Sequence, residues 1–128
     1  MSTDCERTLF FVTPDEDTIR HLKQLFAGRG FSCEPYRSAS EFLRKDLGSA
    51  NSCVIMASQL PDMSGTQLVK QMQTSGGKIP AIILSRNGDV GSAVEAFRAG
   101  AVDFLELPFV DRVLLDRVND LFSRLEEE

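Results

Sequence analysis

Cys53-Val54-Ile55-Met56 and Pro80-Ala81-Ile82-Ile83-Leu84 are short apolar runs without polar alternation, and between them lies a stretch with helical spacing. Strands that lack alternation are covered on both faces, the condition of a parallel sheet. A parallel pair also needs a crossover long enough to hold a helix. Outward from this centre the same unit recurs. Leu9-Phe10-Phe11-Val12 reads as a first strand bounded by Thr13-Pro14, and Phe31 to Tyr36 as a second. Between them Ile19, Leu22, Leu25 and Phe26 fall at helical intervals, closed by Gly28 and Gly30. Ser38 with Glu41 is a capping box for a short second helix. Ser64 with Gln67 opens a third helix through Val69 and Met72, and Gly76-Gly77 breaks it. Val90, Val94 and Phe97 mark a fourth helix ended by Gly100, and Val102 to Leu105 a fifth strand ended by Pro108. Leu114, Val118, Leu121 and Leu125 form the apolar stripe of a last helix. The alternation predicts an α/β fold, a doubly wound five-stranded parallel sheet with helices on both faces.

At 128 residues the chain is expected to form a single domain over 1–128, with a core of about 8–125. Hydrophobic residues make up 42%, enough for a packed interior. A net charge of −5, with basic residues scattered, argues against direct nucleic-acid binding. Cys5, Cys33 and Cys53 lack a C-x-x-C spacing, so they read as reduced thiols, the latter two in strands. No apolar run reaches the ~20 residues that span a bilayer. Met1 to Thr8 also lacks a signal-peptide layout, so the expected location is cytoplasmic, with no membrane partner.

Open parallel sheets bind ligands at the carboxyl ends of their strands. Those ends are Thr13 and Pro14, Ala57 and Ser58, Ser85, and Leu107. None is a carboxylate, His or Lys, which is poor equipment for acid–base or metal chemistry. No enzymatic activity, metal or cofactor is expected.

Several blocks resemble the CheY-like receiver domain of two-component response regulators, especially its FixJ and NtrC-like branch. They are Leu60-Pro61-Asp62-Met63-Ser64-Gly65, Asn87-Gly88-Asp89-Val90, and Ala99-Gly100-Ala101-Val102-Asp103-Phe104-Leu105-Glu106 followed by Pro108-Phe109. Gly30-Phe31 and Ser38-Ala39-Ser40-Glu41-Phe42-Leu43 also fit. The resemblance covers roughly residues 8 to 125. It implies the flavodoxin-like strand order 2-1-3-4-5.

The same resemblance implies that the phosphorylation site is degenerate. The family's phosphoacceptor aspartate matches Ala57, its magnesium-holding acidic pair matches Thr13 and Pro14, and its lysine matches Leu107; only the hydroxyl position survives, as Ser85. Phosphoryl transfer depends on positioning and charge neutralisation, and four of these five positions are inert. Phe104 matches the aromatic residue that changes rotamer in the family, or is a fixed aromatic of the core or an interface. Asp15 and Glu16 read as the start of the first helix, with Thr13-Pro14-Asp15-Glu16 as a capping box and Pro14 at the first helical position; a weakened metal site is the alternative. Asp62 reads as a turn residue, His21 as a surface residue, and Ser58 as a remote alternative phosphoacceptor.

The expected function is a phosphorylation-independent pseudo-receiver, acting in two-component signalling and transcription regulation through a protein partner or its own output domain. In the family a DNA-binding domain often follows the receiver, and Leu125-Glu126-Glu127-Glu128 lies where that linker would begin. Output is expected from the face of the fourth helix, fifth strand and fifth helix, through Val90, Ala93, Val94, Phe104, Phe109 and Val110, as a homodimer or partner surface. A second reading is a small-molecule sensor using the emptied pocket, oriented by Ser85, Ser58 and Thr13. A third is a receiver phosphorylated at a non-standard residue. With its acids gone the pocket is expected to be partly closed, Leu107 packing toward Ala57.

Overall fold

Ten elements alternate along the chain in the computed structural model, which describes residues 7–44, 51–74, 79–86 and 90–127. They are β1 (Arg7–Val12), α1 (Glu16–Phe26), β2 (Phe31–Tyr36), α2 (Ala39–Leu43), β3 (Ser52–Ala57), α3 (Gly65–Thr74), β4 (Ala81–Ser85), α4 (Val90–Ala99), β5 (Asp103–Glu106) and α5 (Asp111–Glu127). The strands form one parallel sheet in the order β2-β1-β3-β4-β5, as expected. Cys5, Gly76-Gly77 and Asn87-Gly88-Asp89 lie outside the described residues, as does nearly all of the Met1 to Thr8 stretch.

The apolar runs work because successive side chains on a strand point to opposite faces. Phe10, Val12, Val54, Met56 and Ile83 pack on one side with Phe42, Leu68 and Met72 of α2 and α3 and with Ala96 of α4. Leu9, Phe11, Cys53, Ile55, Ile82 and Leu84 pack on the other side with Leu22 and Phe26 of α1 and Leu114, Val118 and Phe122 of α5. Each fully buried Leu, Ile or Phe contributes roughly 1.5–3 kcal/mol from apolar surface removed from water. The edge strands β2 and β5 are only partly buried, and Pro35 is confined to such an edge, where a missing ladder donor is tolerated.

Several local expectations are corrected. Pro14 is not the first residue of α1: Asp15 is its N-cap, accepting a hydrogen bond from Asp17 N, and the Thr13 hydroxyl accepts from Asp15 N at 3.2 Å. The chain needs that extra residue to turn from β1, whose ladder extends to Thr13 through Thr13 N donating to Tyr36 O. Ser38 does cap α2, but Glu41 reaches back to Arg37 N rather than to the N-cap amide. The Ser64–Gln67 capping box forms in both directions, at 3.1 and 3.2 Å. Among the described residues of α4 the buried one is Ala96, whereas Val94 and Phe97 are 44% and 48% exposed. A small residue there lets the helix lie close to the sheet and turns the larger apolar side chains outward. On α5 the buried line is Leu114, Val118 and Phe122, with Leu121 and Leu125 only half-buried beside it.

Asp62 does more than form a turn. Its carboxylate accepts from Ala39 N at 3.1 Å and Ser40 N at 2.9 Å, capping α2 from the loop between β3 and α3. These amides, that of Ser40 foremost, hold its carboxyl below the usual aspartate range. Burial alone pushes the Cys53 thiol up to about 12, which keeps it protonated and inert.

Gly65 sets how closely α3 approaches the end of β3. A Cβ there would lie 2.6 Å from the Ala57 carbonyl oxygen, a backbone atom with no freedom to withdraw. Gly65→Ala is expected to destabilise the fold by roughly 1–3 kcal/mol, measured as a lower urea midpoint at unchanged slope; wild-type stability would show that α3 can shift outward without cost.

Candidate functional site

The carboxyl ends of β1, β3, β4 and β5 converge on one cleft of about 750 Å³. Its lining includes all five predicted site positions, Thr13, Pro14, Ala57, Ser85 and Leu107, together with Ser58 and Phe104. The topology explains the convergence, since β1 and β3 are neighbours and their following helices leave on opposite faces of the sheet.

Each position is held by backbone as much as by side chain. Thr13 is 4% exposed, its hydroxyl accepting from the Asp15 amide. Ala57 ends β3, and Ser58 N then donates to Leu84 O while Ser58 O accepts from Gly65 N, both at 2.9 Å. Ser85 is likewise 4% exposed, and its carbonyl accepts from Leu107 N at 2.7 Å. The Leu107–Pro108 peptide is cis.

The cleft is not closed by Leu107. That side chain packs with the cluster under α1 and α5, whereas Ala57 packs with the cluster under α2, α3 and α4. The two residues pack against different apolar clusters, and both line the cleft. Phe104 and Phe109 are divided in the same way: Phe104 joins the first cluster, and Phe109 joins the second and stacks on His21 at 5.1 Å. Both are half-buried. Their burial leaves Val94 and Val110, 44% and 64% exposed, as the accessible apolar part of the expected partner face. Ala93 is half-buried, and the surroundings of the Val90 side chain lie outside the described residues. His21 is at the surface, as expected, but it also bridges helices, its Nε2 2.9 Å from Asp111 Oδ1.

Four charged residues of the lining are absent from the list of strand ends: Asp15, Lys70, Arg86 and Glu95. Asp15 and Arg86 lie one residue beyond that list, while Lys70 and Glu95 sit inside α3 and α4, whose packing side by side no sequence signal announces. Asp15 is occupied. Its carboxylate accepts from the Thr18 hydroxyl at 2.7 Å and from Asp17 N, and lies 3.4 Å from an Arg86 nitrogen. The Thr18 hydroxyl is the main cause that its carboxyl sits below the ordinary aspartate range.

Magnesium, the ion the family resemblance implies, does not fit this donor set. A hard cation needs several charged oxygens, whereas Thr13 offers a hydroxyl, Pro14 a ring and Ala57 a methyl. Asp15, the alternative ligand, is spent as a helix cap and on Arg86. Among the described residues no three of His, Cys, Asp and Glu gather where they could hold one ion.

Placing acids at this rim should produce repulsion in the absence of metal. The double substitution Ala57→Asp with Thr13→Asp places one carboxylate at a site that is 4% exposed, close to Asp15. A loss of about 2 kcal/mol or more at neutral pH is expected, read by urea unfolding in chelator; a rise in stability would contradict the electrostatic account.

Comparison with known proteins agrees with the fold. The response regulator receiver domain family matches residues 10–119. The response regulator protein TodT of Pseudomonas putida is 35% identical over 116 residues, 91% of this chain and 51% of that protein. The transcriptional regulatory protein FixJ of Rhizobium meliloti is 34% identical over 111 residues, 87% of this chain and 54% of that protein. The chain thus spans about half the length of these relatives. Among solved structures, FixJ-N superposes with a TM-score of 0.83 at 32% identity, covering 98% of both chains. With most of its length matched in sequence and its strand order matched in space, this chain belongs to the response regulator receiver domain family.

Proposed function

We propose that this receiver domain signals without aspartyl phosphorylation and acts by presenting a surface to another protein. The observation that carries the reading is Ala57 at the carboxyl end of β3, lining the cleft where the resemblance places a phosphoacceptor. A methyl group has no lone pair with which to attack phosphorus. The surrounding positions support the same reading. Thr13, Pro14 and Leu107 supply neither the charged oxygens of a magnesium site nor a cation to neutralise a phosphoryl group. Ser58, the remaining candidate acceptor, lines the cleft but follows no acidic pair that would recruit metal to it.

Output then runs through a surface whose conformation is already set. The candidate is the face of α4, β5 and α5, where Val94 and Val110 stand exposed. Exposed apolar residues on neighbouring elements are what a partner or a second copy buries. The relatives include one named as a transcriptional regulatory protein, and this chain spans only about half of its length. In that setting the domain regulates transcription by holding an output domain, its own or a partner's, in one arrangement.

Incubation with acetyl phosphate and magnesium, followed by intact mass measurement, is expected to leave the mass unchanged. Any added phosphoryl group would refute the proposal, and peptide mapping would then locate the acceptor. Light scattering completes the test: self-association or partner binding should be lost in Val94→Asp and Val110→Asp, and unaffected by acetyl phosphate.

A further inference from the structure

We infer that the cleft at the carboxyl edge of the sheet binds an uncharged organic molecule with an apolar body and a hydrogen-bonding head. This goes beyond the proposed signalling role and does not depend on it, because it rests on the lining of the cleft alone. Its volume of about 750 Å³ falls inside the ~300–1,000 Å³ typical of small-molecule sites. Sites of that kind combine an apolar lining with a few polar groups that fix orientation. Here Ala57, Leu84, Phe104 and Leu107 supply the apolar part, and the hydroxyl side chains of Ser58 and Thr66 are among the polar groups beside it.

Charge decides which class of molecule fits. The lining carries two basic residues, Lys70 and Arg86, and two acidic ones, Asp15 and Glu95, so its formal charge is balanced, and Arg86 already faces Asp15 at 3.4 Å. An anion entering this cleft would have to compete with Asp15 for Arg86, against a chain of net charge −5. A cation would have to draw Asp15 from the Thr18 hydroxyl and the Asp17 amide that it caps. An uncharged molecule leaves both arrangements intact and gains from covering apolar surface. Its presence would be felt at Phe104, which lines the cleft and lies on β5, within the face proposed to meet a partner.

Three probes of one shape and different charge test the inference directly: cyclohexanol, cyclohexanecarboxylate and cyclohexylammonium. Each is titrated into the full chain while amide chemical shifts are followed. Cyclohexanol is expected to give saturable shifts confined to Ala57, Ser58, Ser85, Phe104, Leu107 and their neighbours, with affinity about tenfold or more above either ion. Ala57→Leu, which adds bulk to the lining of the cleft, should abolish them while the thermal melt stays cooperative. Thr66→Leu, at a half-buried helix position, serves the same purpose if the first variant fails to fold. Tighter binding of either charged probe overturns the assignment. So does a cyclohexanol response that is unsaturable, scattered over the surface, or unchanged in the filled-cleft variant.

Discussion

Burial of the sheet on both faces is the constraint from which the rest of this structure follows. Two apolar clusters, one beneath α2, α3 and α4 and one beneath α1 and α5, occupy alternate residues of the same strands. Neither face therefore has room for chemistry. Polar and exchangeable groups collect at the carboxyl rim, where the strands stop and the chain must turn into helices. The rim is also where backbone donors and acceptors need partners, and Thr13, Ser58, Ser85 and Leu107 are held there by main-chain hydrogen bonds. Positions of the rim are thus fixed by the ladder.

The strand-end positions themselves, Thr13, Pro14, Ala57, Ser58, Ser85 and Leu107, carry no charge, and the charged residues of the lining stand beyond them. The carboxylates that remain nearby serve helices. Asp15 caps α1 and faces Arg86, and Asp62 caps α2 across the loop after β3. Both carboxyls are lowered by hydrogen bonds they accept: from the Thr18 hydroxyl first for Asp15, and from the amide of Ser40 first for Asp62. An aspartate in this state stabilises its helix N-terminus and has little capacity left for a metal. Two of the apolar residues lining the cleft, Leu107 and Phe104, pack against different clusters.

Sequence reading reached the strand order through resemblance and the strand positions through unbroken apolar runs. It went astray where one residue decides a detail. Pro14 precedes the α1 cap because β1 pairing extends to Thr13. Ala96, too small to register in a search for large apolar periodicity, is the buried residue among those described in α4, and Phe122 replaces Leu121 and Leu125 in the core of α5. Lys70 and Glu95 reach the cleft from the interiors of two helices, a placement that depends on how α3 and α4 pack.

The amino-acid sequence by itself determined which groups stand at the strand ends: alanine at position 57, threonine and proline at 13 and 14, and leucine at 107 are covalent facts independent of any coordinate. It also determined the α/β alternation, because helical and strand periodicities are local properties of the chain. Only the tertiary structure decided that the rim encloses a cleft, that the charges of its lining balance, and that Asp62 is a cap for a distant helix. Those outcomes depend on contacts between residues far apart in the chain, and on which of the two sheet faces claims each side chain, which no local pattern encodes.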